Sequence, residues 1–103
     1  MISKEDIIVM TYNADKCYPE ILSLDEALER YKDKFFVNLE TEEWFSKNKE
    51  GGTYNTLKIG EGYSYGQRCY NSYIGGIFNR RNLKHLNTMS YFIRYAEESH
   101  GGD

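Results

Sequence analysis

Ser23-Leu24-Asp25-Glu26-Ala27-Leu28-Glu29-Arg30-Tyr31-Lys32-Asp33-Lys34-Phe35 is the stretch from which the fold is read. Ser23 and Glu26 have the S-x-x-E spacing of a capping box. There the serine oxygen accepts an N–H of the first turn and the glutamate reaches back to the serine N–H. Leu24, Ala27, Leu28, Tyr31 and Phe35 recur at helical spacing, while Asp25, Glu29, Arg30 and Lys32 fill the opposite side. The spacing predicts an amphipathic helix over 24–35 with its apolar stripe on a core.

Upstream, Asp6-Ile-Ile-Val-Met-Thr-Tyr12 is an apolar, β-branched run that reads as a buried strand. Residues 13–16 have turn chemistry, and 17–22 return as a second strand. Pro19 has no N–H to donate, so this strand belongs at an edge. Downstream, Thr41-Glu42-Glu43-Trp44-Phe45 reads as a second, shorter helix. Threonine would cap it, two glutamates would sit at its positive end, and Gly51-Gly52 would end it. On a helix Trp44 and Phe45 diverge by about 100°, so one enters the core and the other lies near the surface. Residues 53–59 alternate and favour a strand. Residues 68–78 read as a longer strand bent at Gly75-Gly76. A last helix runs from 79–82 to about 98, its buried face marked by Leu83, Leu86, Met89, Ile93 and Ala96, with Phe92 and Tyr95 beside it. The order ββ-α-α-ββ-α predicts an α+β fold: a small, mostly antiparallel sheet with about three helices packed on it. Residues 1–103 read as a single compact domain, with a tail frayed from about 99.

Composition excludes several classes. Apolar content of 40% and aromatic content of 16% are not those of a disordered chain. No apolar run approaches the roughly 20 residues of a membrane span, and the acids near the start do not suit a signal peptide. The expectation is a soluble, cytoplasmic protein with no membrane partner. Cys17 and Cys69 read as reduced thiols. There is no C-x-x-C pair and no H-x-x-x-H, so no metal site and no cofactor is expected.

The net charge of −3 is unevenly spread. Residues 1–50 carry twelve acids and seven bases; residues 51–103 carry four acids and six bases. Either the basic half meets an anionic partner, or the two halves neutralise each other across the fold. Tyr54, Tyr63, Tyr65, Tyr70 and Tyr73, half of the ten tyrosines, share one window with every glycine except Gly101 and Gly102. Tyrosine offers a large, rather rigid contact area with a polar tip. That window suits a recognition surface, and Tyr54, Tyr63, Tyr65, Arg68, Tyr70 and Tyr73, with Trp44, are the candidate partner-binding residues. A second reading is nucleic-acid contact through Arg80, Arg81, Lys84 and His85, with arginines on phosphates and tyrosines on bases. A homodimer formed by edge-strand pairing stays open.

Catalytic patterns are sparse. Cys69 and His85 have no local oxyanion loop or orienting acid, and Glu42-Glu43 and Glu97-Glu98 read as solvated helix faces. Tyr73-Ile74-Gly75, Arg81 and His85-Leu86 together resemble the second half of the GIY-YIG nuclease signature over about 15 residues. The resemblance implies metal-dependent phosphodiester cleavage, with Tyr73 as the motif tyrosine, Arg81 stabilising phosphate charge and His85 assisting proton transfer. Gly52-Thr53-Tyr54 sits too far back to supply the first half, and only Glu97 and Glu98 remain for the family's metal-binding glutamate. The chain is also similar in style to the small accessory and inhibitor proteins of phages and mobile elements. The expected function is a non-enzymatic module that binds and blocks a larger protein.

Overall fold

The computed structural model describes residues 2–12, 19–48, 50–63 and 73–100, with side chains described up to residue 95. The fold is α+β; the described residues form two three-stranded antiparallel sheets and two helices. After a 3-10 turn at Lys4–Asp6 come β1 (Ile7–Tyr12), β2 (Pro19–Ser23) and α1 (Leu24–Arg30). Then follow β3 (Phe35–Asn38), β4 (Glu43–Ser46), β5 (Leu57–Lys58), β6 (Ile74–Asn79) and α2 (Leu83–His100). The first sheet has the order β2-β1-β6 and the second β3-β4-β5. Among the described residues, the single sheet, the helix expected from Thr41 and the element order are therefore corrected.

The first correction lies in the deciding stretch itself. Ser23 does cap α1, accepting the Glu26 N–H at 3.2 Å, but its hydroxyl donates to the Glu26 carboxylate rather than leaving that carboxylate for the backbone. The helix then stops at Arg30, well short of 35. Tyr31 closes it with a backbone bond to Ala27, and Asp33 turns the chain with φ 67°. Phe35, which continues the helical spacing, instead starts β3 and is buried on the inner face of the second sheet. Leu28, assigned to the buried stripe, is exposed.

The second correction is at Thr41-Glu42-Glu43-Trp44-Phe45, which forms a hairpin arm instead of a helix. The Asn38 carboxamide oxygen accepts the N–H groups of Glu40 and Thr41, and Glu42 adopts φ 58°. This local turn returns the chain so that Phe36 faces Phe45 and Val37 faces Trp44. Strand alternation then decides burial: Trp44 and Ser46 point inward, while Glu43 and Phe45 point outward.

Strands β1 and β6 of the first sheet are buried on both faces. Ile7, Val9, Leu22, Ile74 and Ile77 meet α1, Phe35, Trp44, Ile59 and Tyr63 on one side. Met10, Tyr12 and Phe78 meet Met89, Phe92 and Ile93 of α2 on the other. β2 with Pro19 is an edge strand, paired only to β1. The far edge of β6 is covered by residues 60–63, where Gly60 N–H donates to Ile77 and Tyr63 N–H to Gly75. β6 bulges opposite Met10 and Thr11, leaving Gly75 as the extra residue. A Cβ at Gly75 would overlap the Tyr12 ring.

α2 lies on the surface. None of its described side chains is fully buried, and Leu83, assigned to its buried face, is 72% exposed. Among the described residues no helix is long and apolar enough to cross a membrane.

Candidate functional site

The described tyrosines of the window are buried or half-buried. Trp44 is fully buried and its indole N–H donates to the Glu61 carbonyl at 3.2 Å. Tyr63 is buried against the Trp44 edge at 5.1 Å, and burial pushes its phenol above the usual tyrosine range. Its hydroxyl accepts the Ser46 N–H at 3.1 Å and donates to the Asn55 carbonyl at 2.9 Å. Trp44 and Tyr63 are thus core residues, which corrects their assignment to a binding surface. Tyr54 is half-buried and tilts onto Tyr63 at 4.9 Å. Tyr73 is half-buried beside Tyr31 at 5.4 Å, with the Lys34 ammonium 5.3 Å from its ring centre. Tyr65, Arg68 and Tyr70, like Cys17 and Cys69, lie outside the described residues.

The basic set divides as well. Arg80 and Lys84 are exposed. Arg81 is exposed but pairs with Asp6 at 2.9 Å, so a base of the second half neutralises an acid of the first. His85 turns inward: its Nδ1 accepts the Asn79 N–H at 3.0 Å, and its ring packs on Gly60. Burial lowers its basicity, and Glu42 opposes that shift. Tyr73 precedes β6 while Arg81 and His85 follow it, so a strand of about 20 Å separates them. The three nuclease-like residues do not converge. Among the described residues no three His, Cys, Asp or Glu side chains gather into a metal-type cluster.

What the sequence reading missed is the outer face of the second sheet. With Phe35, Val37, Trp44, Ser46 and Leu57 turned inward, alternation puts Phe36, Asn38, Glu43, Phe45 and Lys58 outward. Phe36 and Phe45 are direct cross-strand partners and stack at 5.4 Å and 22°. Phe36 is 52% exposed. Beside the pair lies a shallow depression of about 190 Å³, with Asn38, Thr41, Glu43 and Thr56 on its walls. Neither 35–38, Phe-Phe-Val-Asn, nor 43–46, Glu-Trp-Phe-Ser, alternates apolar with polar residues, so neither carries a clear strand signal. The face offers a rigid apolar platform with hydrogen-bonding groups and one acid at its border. Compared with models of known families, with curated proteins and with solved structures, the chain matches none.

Proposed function

We propose that this chain is a small non-enzymatic binding module that acts by stoichiometric occupancy of a larger protein. The observation that carries the reading is the solvent-facing Phe36–Phe45 stack beside its shallow depression. An exposed phenylalanine held rigid by a cross-strand partner loses little side-chain entropy on binding, and clustered exposed apolar surface is typical of interaction sites. Of the residues expected to bind a partner, Tyr63 and Trp44 serve the core and are not part of this face.

The test is affinity capture from nuclease-treated lysate with the purified protein and its Phe36→Ser and Phe45→Ser variants. A stoichiometric partner retained by the wild type and lost from both folded variants is the expected result. Equal retention by the variants, or no protein retained by the wild type, would overturn the reading.

A further inference from the structure

The outer face of α2 has a different chemistry from the rest of the chain. Between Glu61 and Glu97 the sequence has no acidic residue, although acids outnumber bases overall by sixteen to thirteen. α2 sets part of that acid-free stretch on the surface. His85, Met89, Phe92 and Ile93 define the side that meets the first sheet. Lys84, Thr88, Tyr91 and Tyr95, spaced by four, three and four, form a stripe on an adjoining side, about 110° round the helix from it. Arg94 flanks it, and Arg80 is exposed in the turn leading into the helix. Tyr91 is 60% exposed and Tyr95 47%, with ring centres 6.2 Å apart and planes 31° from parallel.

We propose that this stripe binds single-stranded nucleic acid. Charge selects an anionic partner: Arg80, Lys84 and Arg94 are exposed cations that form none of the chain's described ion pairs with acids, whereas Arg81 is committed to Asp6. The tyrosines select among anions. Two neighbouring exposed aromatic rings between basic residues are a platform on which unpaired bases stack while cations hold the backbone. A folded duplex hides its base faces and an acidic protein segment has none, so neither would use both parts of the stripe. This inference is independent of the Phe36–Phe45 face.

Fluorescence anisotropy with a labelled oligothymidylate tests it. With three cations on phosphates the logarithmic salt slope is about −2, a loss of roughly 20-fold between 50 and 200 mM salt. Tyr91→Ser and Tyr95→Ser each weaken binding by about tenfold. Lys84→Gln and Arg94→Gln flatten the salt slope, and Phe36→Ser leaves binding unchanged. Circular dichroism of each variant verifies the fold. No binding at 50 mM salt overturns the proposal. So does equal affinity for a polyglutamate peptide, or for duplex DNA with the tyrosine variants unaffected.

Discussion

A single imidazole joins three parts of the chain at the start of α2. His85 accepts the Asn79 N–H at the end of β6 and lies on Gly60, which has φ 110° and would clash with the ring if it carried a Cβ. The acceptor role requires Nδ1 to be unprotonated. Burial favours that neutral state and places the folded basicity below the ordinary histidine value, with Glu42 pulling the other way. The sign follows: the stabilisation is present above about pH 6.5 and is lost as pH falls through that value and then through the lower folded one. Protonation would aim two N–H groups at each other. Urea titrations at pH 7.5 and 5.5 should show wild-type stability falling by up to about 1 kcal/mol, one hydrogen bond's worth. His85→Asn, whose Oδ1 can accept the same N–H without titrating, should lack that step. A step of equal size in the variant would show that other groups carry it.

Element boundaries are set by short polar side chains. Ser23 accepts the Glu26 N–H and starts α1; Asn38 accepts two N–H groups and turns β3 into β4; Asn82 accepts the Lys84 N–H and starts α2. α1 has only seven residues, too few to be stable alone, so its cap and its two buried residues, Leu24 and Ala27, hold it together. Ser23→Ala should lower unfolding stability by about 1 kcal/mol in a denaturant titration. An unchanged midpoint would mean that packing alone holds the helix. The same polar chemistry explains one misread element. Asn38 was a hairpin signal, but the helix-like Thr41-Glu42-Glu43 drew the reading toward a cap. With Asn38 turning the chain, Trp44 and Phe45 fall on opposite faces of a strand, one in the core and one at the surface.

At the scale of the molecule, the two sheets are joined through Tyr63 and Trp44. Tyr63 stands on the segment that pairs with β6, yet its hydroxyl holds the buried Ser46 N–H of β4. Trp44, on β4, reaches back to the Glu61 carbonyl. Tyr63→Phe keeps the ring but removes the hydroxyl's bonds to the Ser46 N–H and the Asn55 carbonyl, which should cost about 1–3 kcal/mol. Thermal unfolding measures that loss. A melting temperature equal to wild type would show that the sheets are held by apolar contact alone. The Asp6–Arg81 pair also spans distant parts of the chain, but Arg81 is mostly exposed, so its share is small.

The sequence by itself determined what depends on neighbours in the chain: the β1–β2 hairpin with Pro19 at an edge, the Ser23 cap, the bend at Gly75-Gly76 and the final amphipathic helix. Each is a local signal, a turn, a cap or a period, that no distant contact has to supply. Only the tertiary structure decided where that period was overruled. Phe35 continues a helical pattern but is buried as a strand residue on the inner face of the second sheet, and Trp44 of β4 is buried by pairing with β3 and β5. It also decided which aromatics reach solvent. Tyrosine and phenylalanine fit both interior and surface, and composition does not say which. Burial of Tyr63 and exposure of Phe36, Tyr91 and Tyr95 follow from the strand register and from the side of α2 that meets the sheet.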